Sequence, residues 1–145
     1  MEGTLAAALL AVLGTYLLIV LFLYVLLVIA YWKIFTKAGQ PGWKSIIPIY
    51  NQYVLYRISW KNPYMFWVSL ACSFAGMLLA TSDGWISIVG MAASFVSMII
   101  TILLQIKLSK AYGHGIGFAI GLLLLGNIFT LILGFGSSQY QGPQD

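Results

Sequence analysis

Four long apolar runs divide this chain: about Leu5 to Trp32, Pro63 to Thr81, Trp85 to Ile106 and Ile116 to Leu133. Each reaches the length, roughly 18 residues or more, at which an apolar stretch reads as a membrane-crossing helix. The first is the longest. At ~1.5 Å per residue it outreaches a ~30 Å hydrocarbon core, so it is expected to tilt or to carry its last turns into the cytoplasm, with Lys33 and Lys37 snorkelling. Gly39 and then Pro41-Gly42 supply ordinary helix-stop chemistry. Between runs two and three, Ser82-Asp83-Gly84 predicts a tight turn, with Asp83 as a turn residue.

The stretch between the first two runs, residues 43–62, follows neither pattern. Trp43, Tyr50, Tyr53, Tyr56 and Trp60 alternate with aliphatic residues, and Lys44, Arg57 and Lys61 are interspersed. Asn51, Gln52 and Arg57 make it too polar to cross hydrocarbon. It is too apolar for a free loop. An interfacial helix fits, with rings at headgroup depth and cations toward phosphate. Pro48 is expected to break or kink it, and Arg57, one turn from Tyr53, is placed to lie over that ring.

Charge orients the picture. Lys33, Lys37, Lys44, Arg57, Lys61, Lys107 and Lys110 all fall between runs one and two or between runs three and four; Glu2, Asp83 and Asp145 fall elsewhere. That is the positive-inside pattern. It predicts a single integral membrane domain over residues 1–145: all-α, four transmembrane helices, N-out and C-out, with the interfacial segment on the cytoplasmic side. The first run reads as an uncleaved anchor, because Glu2 replaces the basic n-region of a signal peptide. A chain 61% hydrophobic and 7% charged cannot cover a water-soluble surface. The net charge of +4 therefore points to anionic headgroups, at ~1 kcal/mol per cation near the surface, and not to nucleic acid.

Within the runs, small and polar residues line up. Ser87, Gly90, Ser94, Ser97, Thr101 and Gln105 recur at helical spacing on run three. Ser69, Ser73, Gly76 and Ala80 form a matching stripe on run two. Gly113, Gly117 and Gly121 form a ladder into run four, which later offers Asn127 and Thr130. Such faces let membrane helices approach closely. The alternative is that the run-three stripe lines a water-filled path in an oligomer, although no membrane-embedded acid or base accompanies it.

Catalytic chemistry is hard to assemble. One histidine, one cysteine and three scattered acids make no metal site. His114 lies between two glycines, and no serine is expected to share its side of the membrane with a base. Cys72, the only cysteine, reads as a small packing residue and excludes an intrachain disulfide. No catalytic residues, metal or cofactor are expected. A faint echo links Lys33-Ile-Phe-Thr-Lys-Ala-Gly39 with Lys107-Leu-Ser-Lys-Ala-Tyr-Gly113: either a parallel repeat or two helix ends with Lys-rich caps.

Three stretches together, Ala38-Gly-Gln-Pro-Gly-Trp43, Ile46-Ile-Pro-Ile-Tyr-Asn51 and the run from Leu108 to Phe118 continuing to Ile132–Gly136 and Tyr140-Gln-Gly142, resemble a family of small bacterial membrane proteins of unknown function. Some of its members carry the label signal peptidase I. The resemblance implies a multi-pass protein of the bacterial cytoplasmic membrane. The peptidase label is not expected to transfer, since that chemistry needs an external domain with a Ser-Lys pair and every lysine here is expected inside. The leading expectation is a non-enzymatic accessory or scaffold protein that binds lipid or a membrane protein partner through Trp43, Lys44, Tyr50, Tyr53, Tyr56, Arg57, Trp60 and Lys61. The alternative is a small oligomeric channel or transporter lined by the third helix.

Overall fold

A computed structural model describes residues 1–144 as an all-helical protein. Asp145, one of the three acids used above, lies outside the described residues. The helices are α1 (Glu2–Lys37), α2 (Pro48–Ser59), α3 (Tyr64–Leu79), α4 (Trp85–Ala111), α5 (Ile116–Leu124) and α6 (Gly126–Phe135), with a 3-10 turn at Gly42–Ser45 before α2. Of these, α1 and α4 are long and apolar enough to cross a membrane; α3 and α6 are shorter apolar helices.

The basic ends of α1 and α4 stop in the same way. At the first, Gly39 takes φ 75°, its N–H bonds the Thr36 carbonyl and the Gln40 N–H bonds the Phe35 carbonyl at 2.8 Å. At the second, Gly113 takes φ 77°, its N–H bonds the Lys110 carbonyl and the His114 N–H bonds the Ser109 carbonyl at 2.9 Å. Both are Schellman caps, in which a left-handed glycine lets the chain satisfy the last carbonyls of the helix. The two echoing stretches, Lys33–Gly39 and Lys107–Gly113, each end in that cap, although the spacing of their lysines differs.

The core gathers at this end. Ile34 and Phe35 of α1, Val54, Leu55 and Ile58 of α2, Leu108, Ala111 and Tyr112 at the end of α4, Leu122 of α5 and Leu133 of α6 are buried together. The buried Tyr112 hydroxyl donates to the Ile34 carbonyl and joins the ends of α4 and α1. Tyr112→Phe is expected to cost about 1 kcal/mol, read as a lower melting temperature in detergent. By contrast, residues 2–25 of α1 are exposed around the whole helix.

The helix expected over 116–133 is not continuous. It breaks at Leu125 (φ −126°, ψ 50°), and α6 folds back along α5, with Phe129 against Gly121 and against the Phe118 ring at 5.1 Å between centroids. At ~1.5 Å per residue neither piece approaches ~30 Å. The return brings α6 onto the last third of α1, running the same way: Gly134 sits on Ala30, Lys33 lies over the Phe135 ring, and the Lys37 ammonium donates to the carbonyls of Leu133 (2.8 Å) and Gly136 (2.9 Å). A cation on the last carbonyls of a helix complements its dipole.

The tail therefore lies at the basic end, not at the opposite end as the four-span reading expected. The Gln141 N–H bonds the Ala111 carbonyl (2.6 Å), the Tyr140 hydroxyl donates to the Ile58 carbonyl (2.6 Å), and Gln144 pairs with Ser59 and Lys61 through backbone bonds of 2.9 and 3.0 Å. Burial raises the Tyr140 phenol above its ordinary value, and it raises Tyr112 beside it, so both remain protonated donors.

Candidate interface at the basic end

Residues 43–62 form the 3-10 turn, α2 and the link into α3. Pro48 opens α2 as its first residue, where its missing N–H costs nothing, so the break expected there is a helix start. Along this segment the aromatic residues make a chain of contacts. Trp43 is 6.0 Å from Tyr50 and Tyr50 is stacked 6.1 Å from Tyr53. Tyr53 then meets Phe66 (5.4 Å) and Trp67 (6.3 Å) from the first turn of α3. Neither Phe66 nor Trp67 was among the residues singled out from sequence. Their signal was the Asn62-Pro63 turn, which returns the chain beside α2 at an aromatic pair.

A groove of about 330 Å³ opens between these two helices, lined by Ile47, Ile49, Tyr50, Tyr53, Phe66 and Trp67. Lys44 stands at its edge, Nζ 5.2 Å from the Tyr50 ring centre and 3.3 Å from Gln40 Oε1. Trp60 is half-buried under Lys107, at 4.7 Å. Arg57 and Lys61 are exposed. The stack expected of Arg57 on Tyr53 is not formed; among the described residues Lys33, Lys44 and Lys107 lie over rings.

Tyr56 belongs to a different surface. It is 4% exposed, packed with Phe66, Ile100 and Leu104, and its hydroxyl is engaged by Ser69 and Thr101. It is separated from the aromatic chain of Trp43, Tyr50 and Tyr53, because it lies on the face of α2 that turns to α3 and α4. Beside it, a pocket of about 200 Å³ is lined by Gln52, Tyr56, Ser69, Ser73, Ser97 and Thr101, with Phe66 and Leu70.

The stripe on α4 meets α3. Gly90 lies against Leu79 and Ala80, Ser94 faces Gly76, and the Ser97 hydroxyl is 2.7 Å from that of Ser73 and 3.4 Å from that of Ser69. Thr101 spends its hydrogen on the Ser97 carbonyl at 3.0 Å, Ser87 bonds the Gly84 carbonyl at 2.8 Å, and Gln105 is half-buried. The two glycines named on run four separate. Gly121 is packed against Phe129, whereas Gly117 faces open space and takes no part in packing, because α5 turns that side outward.

His114 also changes its surroundings. Its Nε2 is 2.6 Å from the Ser138 hydroxyl and its ring stacks on Phe118 at 4.1 Å. The expectation that no serine shares a side with a base fails because the tail returns. The two acids described, Glu2 and Asp83, sit away from this end, so neither orients the imidazole, and the contact ties the tail to the α4–α5 turn.

A model of a family of unknown function, DUF5684, matches residues 43–143. The chain belongs to that family. The DUF5684 segment starts at Trp43 and contains α2 to α6 with the tail as far as Pro143, so both walls of the groove and the tail contacts of Ser138, Tyr140 and Gln141 lie within it, while α1 precedes it. No curated protein and no solved structure matches the chain.

Proposed function

We propose that this DUF5684 protein is a non-enzymatic accessory or scaffold protein of the bacterial cytoplasmic membrane, whose basic end binds anionic lipid or an acidic face of a membrane protein partner. In this reading α1, α3 and α4 cross the bilayer, the α5–α6 hairpin re-enters it from the cytoplasmic side, and α2 lies in the interface. The carrying observation is what the cations rest on. Lys33, Lys44 and Lys107 lie over aromatic rings and Lys37 lies on carbonyls, so four charges at one end of the molecule are held by groups that leave the positive charge unneutralised. Cations so placed attract an anionic leaflet. The alternative, an oligomeric pore lined by α4, is less favoured: Gly90, Ser94 and Ser97 spend their faces on α3.

Replacing Lys44, Arg57 and Lys61 together with Gln tests the proposal. Insertion and folding should persist, since Lys33, Lys37, Lys107 and Lys110 still orient the chain. Co-purifying anionic lipid or partner should be lost, and raised salt should mimic the loss. A triple variant that keeps every bound component of the wild type would remove the functional assignment.

A further inference from the structure

The groove between α2 and α3 has a built chemistry that the basic end as a whole does not. Its lining is two tyrosines, a phenylalanine, a tryptophan and two isoleucines. At about 330 Å³ it stands near the small end of the range of ligand sites, roughly 300–1,000 Å³. That is room for part of one acyl chain and not for two side by side. Its lining offers no partner to a polar group, so a peptide strand, with its obligatory N–H and C=O groups, is a poor occupant.

Apolar burial alone cannot make such a groove selective inside a bilayer, because lipid tails solvate a chain as well as isoleucine does. Selection must come from the head. The charge at the rim is Lys44, whose ammonium rests on the Tyr50 ring and on the neutral Gln40 amide. A phosphate brings the full counter-charge that a ring quadrupole supplies only in part. A zwitterionic head would add a second cation to an end already carrying Lys33, Lys37, Arg57, Lys107 and Lys110.

We propose that this groove is the binding site of one anionic phospholipid, with a single acyl chain between Tyr50–Tyr53 and Phe66–Trp67 and its phosphate on Lys44. The assignment rests on the membrane reading above and narrows it: Lys44, not Arg57 or Lys61, selects the lipid.

The test uses the full chain in nanodiscs of phosphatidylcholine, with Trp67 as the only tryptophan (Trp32, Trp43, Trp60 and Trp85→Phe). A small mole fraction of phosphatidylglycerol with brominated acyl chains is added, and Trp67 fluorescence is read. Quenching should exceed, several-fold, that from brominated phosphatidylcholine at the same fraction. Lys44→Gln should bring it down to the phosphatidylcholine level, while Arg57→Gln with Lys61→Gln should leave it. Equal quenching by the two lipids, or no response to Lys44→Gln, overturns the site. If the four Phe replacements fail to fold, native mass spectrometry of Lys44→Gln in the natural background gives the same decision: retained phosphatidylglycerol overturns it. Should Lys44→Gln do nothing while the triple Gln variant still sheds its lipid, the basic end binds lipid elsewhere and only this inference falls.

Discussion

Gly134→Leu is expected to lower the melting temperature in detergent more than any other single glycine replacement, with Gly90→Leu close behind and Gly117→Leu without effect. A Cβ at position 134 would stand 2.6 Å from the Ala30 carbonyl oxygen and 2.8 Å from the Ala30 Cα. Those are backbone atoms of a helix, so no rotamer relieves the clash and α6 must move off α1. At Gly90 a Cβ would stand 2.5 Å from the Ala80 nitrogen and 2.7 Å from the Leu79 carbonyl carbon, with the same consequence for α3 and α4. Overpacking a core by side chains alone costs about 1–3 kcal/mol, and a shift of whole helices costs at least the upper part of that range. Position 134 is the more exposed to damage because α1 is held chiefly through its last third, by α6 and the 3-10 turn, while residues 2–25 add no burial. Losing the α6 seam also strips Lys37 from the carbonyls of Leu133 and Gly136. Gly117 faces open space and is the control. Equal melting of Gly134→Leu and Gly117→Leu would mean that α1 and α6 do not touch.

Two of the long helices were legible because α1 and α4 each announce themselves by an apolar run closed by lysines and glycine. The aromatic-basic segment was legible too, since its composition suits neither hydrocarbon nor water. What the sequence could not express is pairing. Residues 116–133 are apolar without interruption, and hydropathy is the same whether such a run crosses a bilayer or turns back at its middle. The only local hint is Gly126-Asn127, a turn dipeptide inside the run. The burial of Tyr56 was illegible for a related reason. This residue shares helical spacing with Tyr53 and Trp60, and only the path of α3 decides that its ring points inward. Phe66 and Trp67 are invisible as groove residues in the sequence because they sit inside an apolar run. The tail motif Tyr140-Gln-Gly142 was visible but had no partner until the chain was folded back against Ala111 and Ile58.

That return predicts a membrane topology that charge alone does not. On a Cys72→Ser background, cysteines at Pro41, Gly115 and Gln139 are expected to label from one side of the membrane, and cysteines at Gly3 and Asp83 from the other. The positive-inside rule constrains the tail only through the number of spans, because no Lys or Arg follows Lys110. Structure supplies the missing constraint. To send the tail across, α5 and α6 would have to straighten into one helix. That change would release the Gly121–Phe129 and Phe118–Phe129 contacts, the Lys37 cap on α6, the His114–Ser138 bond and the backbone pairing of Gln141 with Ala111. It would also leave Ala30 of α1 without the glycine face it packs on. In return the straightened helix would gain the few backbone bonds missing at Leu125, and net hydrogen bonds are worth only about 0.5–1.5 kcal/mol each. The balance favours the hairpin, so Gln139 should share a side with Pro41 and Gly115. Gln139 labelling with Asp83 instead would restore four crossings and would place α6 away from Ala30, a result that the Gly134→Leu measurement would have to match.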